Sequence, residues 1–554
     1  MKTHFPAYLQ EAEQHLEDKN YYQALKSCSQ ALEAAPGNPL ALATKGKAFL
    51  GIKKYSEALE NAALAKEENP QLKDAYLVEA EALYFMGIVE DALRVLDQGI
   101  EACNHFQLHK YKGFIASQQS IFNLLPTEHP ERLKFAEFFE WLQENGCVFD
   151  SVEFRYYSKD FRGVHASKPI CRVDTAFSIP KSLLVTLEMT KRSQIGEYLS
   201  KAELLSPKHS HLAAFLLEEK HKRDSFWKSY ISVLPEWYEE FPVYYTEQEK
   251  ALLKGSPFLK VISSKLQEIK NDYESICKVY SDFSKYSLKE FSDMRLAVSS
   301  RVIGVLIQGV ESDVMVPLAD MLNHSNTNTC TWSYENPEFV VEALCNIQRG
   351  SETTISYGNK CNSVFLLNYG FLEKDNLFNE FPVTAELSPS DAFFSAKKEA
   401  LGGKTSLTFR LSKTKENSFF DFLAFLRFLE IDTESNLVVP NCTKVSPFDY
   451  FNEQKALQRA YSIIVQLIEE YPTTLTEDKV ILGEELTQNE YNCLLLRIGE
   501  KELLHFYKEL LESTISYLDT REINLDRFES LYTFKDYLKY LSSDLMHPGN
   551  PLNP

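Results

Sequence analysis

"LADMLNHSNTN", residues 318–328, decides how this chain is read. An apolar run ends there in an amide, an imidazole, a hydroxyl and more amides: Asn323, His324, Ser325 and Asn326. Such groups at the end of a buried strand need partners, because a buried polar group left unpaired costs about 1–3 kcal/mol. The surroundings are β-like. "RVIGVLIQ" begins at 301, "VMVPLADML" at 314, "EFVVEAL" at 338 and "ETTISYG" at 352. Further upstream "VEFRYY" (152–157), "RGVHA" (162–166) and "FSIPKSLLVTL" (177–187) read the same way. Between these groups helical periodicity takes over, with aromatics at Phe226, Trp227, Tyr230, Trp237 and Tyr238. A β-rich domain over 128–380, interrupted by a helical insert at 195–298, is therefore expected. "PERLKFAEFFEWLQENG" (130–146) predicts a helix just before its first strand, closed by Gly146.

Asn323-His324 is followed about thirty residues on by "ISYGNKCNSVFLLNYGF", 355–371. Asn-His-Ser at a strand end, then Tyr-Gly after a second strand, then Gly-Phe, resembles the SET-domain methyltransferases. Within them it is similar to the branch typified by the Rubisco large-subunit methyltransferase. Singly each motif is bland: an Asn-His pair is mostly structural, and Tyr-Gly is a turn. Their order and spacing carry the resemblance. It implies a SET domain with a helical insert, followed by an all-helical substrate-binding domain at 385–545.

The resemblance also implies roles. S-adenosylmethionine would be the cofactor. Asp160, Arg162 and Gly163 in "DFRGVHA" match the cofactor-facing loop, although Phe161 stands where the family has a glycine free to take positive φ. Arg301 would meet the cofactor carboxylate with its guanidinium fork. Asp320, Asn323, His324, Gly370 and Phe371 complete the expected cofactor site, and Tyr357 serves both cofactor and catalysis. Tyr369 would line the acceptor channel. Tyr334 is a third wall of that channel or a core residue. Val302 and Ile303, both apolar, follow Arg301 and favour lysine over histidine as acceptor. A lysine amine has a pKa of about 10.4, so holding it neutral at pH 7 costs about 4.6 kcal/mol.

The N-terminal 118 residues repeat themselves. "YYQAL" (21–25), "YSEAL" (55–59) and "VEDAL" (89–93) recur every 34 residues, with Pro36 and Pro70 at the same spacing. Small and large apolar residues alternate within each unit at helical intervals (Ala12, Leu16, Ala24, Leu25 and Leu32; Ala75, Leu83, Leu93 and Leu96). This resembles tetratricopeptide repeats, helix pairs that bury their apolar faces only by stacking on neighbours. Such arrays bind partner peptides, or simply cap the next domain. The expected fold is thus multidomain α+β: an α-solenoid at 1–118, a β-rich SET domain and an all-α C-terminal domain, with residues 546–554 as a disordered tail.

Composition narrows the partners. The 554 residues carry 59 Lys+Arg against 79 Asp+Glu, a formal net charge of −20. An acidic surface repels nucleic acid and anionic membranes and attracts basic proteins. No apolar run approaches the roughly 18 residues of a membrane helix, and "MKTHFPAYLQEAEQHLEDKN" lacks a signal-peptide core. The ten cysteines form no C-x-x-C, so no metal site is expected. The expectation is a cytoplasmic enzyme, with a nuclear pool beside the cytoplasmic one. It would be a protein-lysine N-methyltransferase acting on a basic non-histone protein, ribosomal or translation-related by the resemblance, with the repeats recruiting target or partner. Two alternatives stand beside it: a protein-histidine N-methyltransferase, and a non-catalytic scaffold, which the Phe161 departure favours.

Overall fold

Alanine at matched repeat positions lets helices approach closely, and the N-terminal region uses it throughout. The computed structural model describes residues 5–52, 54–86, 88–117, 130–156, 162–307, 309–335, 337–433, 450–483 and 486–520. Seven helices come first: α1 (Phe5–Glu17), α2 (Tyr21–Ala34), α3 (Pro39–Gly51), α4 (Tyr55–Glu68), α5 (Lys73–Phe85), α6 (Val89–Cys103) and α7 (Phe106–Ser117). Their starts repeat every 34 residues, at 5, 39 and 73 and at 21, 55 and 89. Ala24, Ala58 and Ala92, one repeat apart, are all fully buried. Asn38 Oδ1 accepts from the Leu40 and Ala41 amides and caps α3, with Pro39 at its first position.

Helix α8 (Pro130–Glu144) leads into β1 (Val152–Tyr156), β2 (Arg162–Ala166), β3 (Thr175–Pro180) and β4 (Val185–Thr186). Gly146 takes the positive φ of +83° that closes α8. Helices α9 (Leu187–Lys191), α10 (Gln194–Leu199), α11 (Pro207–His221), α12 (Lys228–Ser232), α13 (Glu247–Leu252), α14 (Phe258–Val279) and α15 (Leu288–Arg301) follow. Strands resume with β5 (Ile303–Ile307), β6 (Val310–Met315), β7 (Asn323–His324), β8 (Cys330–Glu335), β9 (Glu338–Ala343) and β10 (Thr354–Ile355). They pair as small sheets, β1-β2, β3-β9-β8, β4-β6-β5 and β7-β10. The chain then forms α16 (Asn362–Tyr369), β11 (Glu380–Glu386), α17 (Phe394–Ala400), β12 (Ser406–Ser412), α18 (Glu416–Leu429), α19 (Tyr450–Glu469), α20 (Leu475–Ile481) and α21 (Gln488–Thr520).

Two compact units result: residues 1–201, 208–235 and 301–357 in one, residues 202–207, 236–300 and 358–554 in the other. The expected insert is thus divided. Its first helices stay with the β-rich core. Its later ones pack with the C-terminal region, where Ser256 Oγ donates to Glu500 at 2.8 Å and Arg497 Nη1 donates to the Leu252 carbonyl at 2.5 Å. Helix also starts earlier and ends later than 195–298, from Leu187 to Arg301. The stretch beginning at 301 is therefore not strand at its first residue: Arg301 closes α15.

The C-terminal region is helical, with one addition the periodicity did not reveal. Strands β11 and β12, on either side of α17, form an antiparallel pair, Glu380↔Ser412 to Glu386↔Ser406, that packs into the core of α18, α19 and α21. Buried ion pairs pin that core: Arg427–Glu453, and Asp478 between Arg497 and Lys501. The expected disordered tail, 546–554, lies outside the described residues. Among the described residues no helix is long and apolar enough to cross a membrane, and no His, Cys, Asp and Glu cluster is arranged to hold a metal ion.

Candidate functional site

The apolar run before Asn323 is not one strand. Strand β6 stops at Met315, and the buried Leu318 then takes φ +72° and ψ −48°, a γ-turn backbone that a branched side chain rarely adopts. A short 3-10 turn, Ala319–Met321, follows and delivers Asn323-His324 as the two-residue strand β7. Strand β7 runs parallel to β10, pairing Asn323 with Thr354 and His324 with Ile355. Two segments thirty residues apart in sequence are thereby joined, and strain stored at Leu318 aims them.

Tyr357 lies at the centre of the junction. Its backbone N–H donates to His324 Nδ1 at 3.0 Å, and its hydroxyl donates to the Leu322 carbonyl at 2.6 Å. Accepting at Nδ1 assigns His324 the neutral Nε2–H tautomer. The two rings stand 5.2 Å apart. The Tyr357 proton is committed to a main-chain oxygen, so toward a ligand the phenol oxygen acts as an acceptor.

A buried charge cluster lies beside it. Arg301 Nη1 donates to the Asp320 carbonyl at 2.8 Å and stands 3.4 Å from its carboxylate. Tyr230, fully buried on α12, donates its hydroxyl to Asp320 Oδ2 at 2.6 Å. Burial raises the Asp320 pKa, opposed by Arg301, the Tyr230 hydroxyl and Arg162. Asp320 Oδ1 is buried with no hydrogen-bond partner. A buried acceptor lacking a donor, next to a guanidinium, suits a ligand that carries both an ammonium and a carboxylate.

The third group surrounds Asn323. Its amide donates to the Arg162 carbonyl at 2.8 Å and to Glu352 Oε1 at 2.7 Å. A Cβ at Gly163 would stand 2.5 Å from Glu352 Oε1, so a larger residue there would push the Glu352 carboxylate off this clasp. The Arg162 guanidinium, expected at the cofactor, is engaged elsewhere: Nη2 donates to the Val233 carbonyl at 2.6 Å and the group lies 5.3 Å over the Phe135 ring. The Arg162 main chain meets Asn323, while its guanidinium acts on the cluster only as a charge that favours the Asp320 carboxylate.

Of the expected residues, then, Arg162, Gly163, Arg301, Asp320, Asn323, His324 and Tyr357 come together in one unit. Ile303 opens β5 opposite Val314, buried. Tyr334 sits opposite Phe339 on β8, its hydroxyl buried without a hydrogen-bond partner, and no described contact takes it to Tyr357. Asp160 and Phe161 lie outside the described residues. Tyr369, Gly370 and Phe371 belong to the second unit. There Gly370 caps α16 at φ +77°, and the Tyr369 ring packs on Phe365 (5.9 Å) and Phe371 (6.1 Å). Tyr230 and Glu352 were missed by sequence reasoning. Their partners lie 90 and 29 residues away, and no local pattern marks such pairs.

Comparison with known proteins agrees with this layout. Residues 161–358 match the SET domain family model, and residues 388–504 match the model for the Rubisco LSMT substrate-binding domain. Similar curated relatives include the actin-histidine N-methyltransferase of Mus musculus, 28% identical over 398 residues (67% of this chain, 67% of the relative). That of Homo sapiens is 27% identical over 435 residues (72% and 73%). Among solved structures, the SET domain of LSMT bound to lysine and AdoHcy superposes with a TM-score of 0.60 at 23% identity, over 77% of this chain and 98% of that one. Rubisco LSMT bound to AdoMet gives 0.60 at 24% identity, over 74% and 99%. These structures share the fold.

Proposed function

We propose that this SET-domain methyltransferase, with its Rubisco LSMT-type substrate-binding domain, transfers a methyl group from S-adenosylmethionine to a histidine nitrogen of a protein. The observation that carries the reading is the junction of β7 and β10, where Tyr357 is held by both Leu322 and His324. When bound, S-adenosylmethionine supplies a sulfonium methyl for in-line transfer. Arg301 would hold its carboxylate, and the Asp320 carboxylate its ammonium. Asn323 and His324 would present their main chain to the adenosine. The Tyr357 oxygen, limited to accepting, would orient the reacting groups without taking a proton. Positioning of this kind can supply most of a transfer rate.

The same chemistry supports a histidine acceptor. With its proton committed to Leu322, Tyr357 is no base, and Asp320 is already engaged by Arg301 and Tyr230. An imidazole is largely neutral at pH 7 and attacks with its own lone pair. The methylated ring, now an imidazolium, then sheds its one N–H proton to solvent. The relatives of mouse and man act on a histidine of actin, which supports this choice over lysine and makes actin the first substrate to try. A lysine acceptor is the second reading, favoured by apolar Val302 and Ile303 after Arg301. The helical repeats would recruit the target or a partner protein.

The experiment is incubation of the full chain with isotope-labelled S-adenosylmethionine and actin, then with cell lysate, followed by mass spectrometry of the labelled site. Label on histidine supports the proposal, and label on lysine replaces it with the second reading. No label, together with no thermal shift on adding the cofactor at a hundredfold excess over a micromolar Kd (about 2.7 kcal/mol expected), leaves the scaffold reading.

A further inference from the structure

The stretch 350–355 does two jobs at once. Its first half pairs with β2: the Ala166 N–H donates to the Ser351 carbonyl at 2.9 Å, Gly350 N–H to the Ala166 carbonyl at 2.7 Å and Thr353 N–H to the Val164 carbonyl at 2.8 Å. His165 and Glu352 form the bridge between them. Its second half is β10, paired with β7. Glu352 stands at the changeover. Its carboxylate takes the Asn323 amide and closes over Gly163. Residue 352 therefore ties two strands together: its main chain bridges to the strand bearing Gly163, and its side chain holds Asn323 of the strand bearing Asn323 and His324.

The neighbouring residue is tied outward. Ser351 Oγ donates to the Met86 carbonyl, at the end of α5 in the helical repeats. Tyr84, two residues earlier on α5, has its hydroxyl pKa raised by burial and by the Glu352 charge. The repeat array and the strand junction thus share one short loop.

We infer that Glu352 is a positioning residue for cofactor binding, and that the helical repeats brace it through the Ser351–Met86 hydrogen bond. It does not touch the reacting atoms. It fixes Asn323 against the Arg162–Gly163 main chain, so that both walls present their backbone groups in one geometry. The inference rests on the proposed cofactor site. Burial also raises the Glu352 pKa, opposed by the Asn323 amide, as expected for a carboxylate withdrawn from water.

The test measures S-adenosylmethionine affinity by calorimetry on the full chain and on the variants Glu352→Met and Glu352→Gln. Both fill the same space, but only Gln keeps an oxygen to accept from Asn323. Wild-type binding is read first: no binding there removes the cofactor site itself. Given wild-type binding, Glu352→Met should raise the Kd at least tenfold, Glu352→Gln should stay within threefold, and the KM for the protein acceptor should change less than twofold in both. Equal wild-type-like Kd values in both variants, or parallel rises in Kd and acceptor KM, overturn the inference. If Glu352→Met does not yield folded protein, Ser351→Ala decides. A two- to fivefold rise in Kd supports the brace, and an unchanged Kd overturns it.

Discussion

The Tyr357 hydroxyl donates to the Leu322 carbonyl at 2.6 Å, and this bond sets what the phenol can do. A donor already used cannot serve as a general acid, and an unionised phenol is a poor base. Tyr357 is left as an oriented acceptor. Changing Tyr357 to Phe should therefore cut methyl transfer on the order of 100-fold, as removal of one oriented polar group does elsewhere. Cofactor affinity should stay within a few fold. Single-turnover methyl transfer set beside calorimetry checks both, and unchanged transfer would remove Tyr357 from its role.

Tyr230→Phe tests the buried cluster from the side the sequence did not mark. Losing the hydroxyl strips Asp320 of its 2.6 Å donor, which should cost about 1–3 kcal/mol of stability. The Asp320 pKa should rise further, and Arg301, which leans on the Asp320 carbonyl, should bind the cofactor less tightly. Denaturant unfolding and cofactor titration on the same preparation separate the two effects.

Gly370→Ala should loosen the end of α16. The residue takes φ +77°, and an added Cβ would come 3.0 Å from the Phe241 ring. Left-handed backbone with a side chain costs about 1–2 kcal/mol, so the melting temperature should fall. A fall no larger than that of an exposed glycine such as Gly309, which has nothing within 4 Å, would contradict the packing argument.

Acid should release the loop that carries Glu352. Burial pushes the His165 pKa down to about 3, helped by Arg155 and opposed by the Gly350 carbonyl at its Nδ1. The unfolded chain takes up a proton below about pH 6.5 that the folded chain refuses. The His165 contribution is thus complete above that pH. It is lost by up to roughly 1.4 kcal/mol per unit as pH falls toward 3. His165→Asn keeps a donor for Gly350 but cannot titrate, so its stability between pH 6.5 and 4 should depend less steeply on pH. Parallel curves for both proteins would show that His165 is not the group responsible.

Sequence alone determined the features that depend on near neighbours or on pattern. Alanines 34 residues apart specify stacked helix pairs, because burial on a helix recurs locally. Asn323-His324, Tyr357 and Arg301 announced one site because side chains with little use in an ordinary core stood in a telling order. Only the tertiary structure decided the rest. Glu352 on Asn323, Tyr230 on Asp320 and the turn of the Arg162 guanidinium toward Val233 are pairings between residues distant in the chain, made by side chains that are ordinary wherever they occur. The β11–β12 strand pair and the division of the insert were hidden for the same reason. Strand pairing and domain membership are settled by which surfaces meet, and hydrogen bonds across long separations leave no period for a sequence to display.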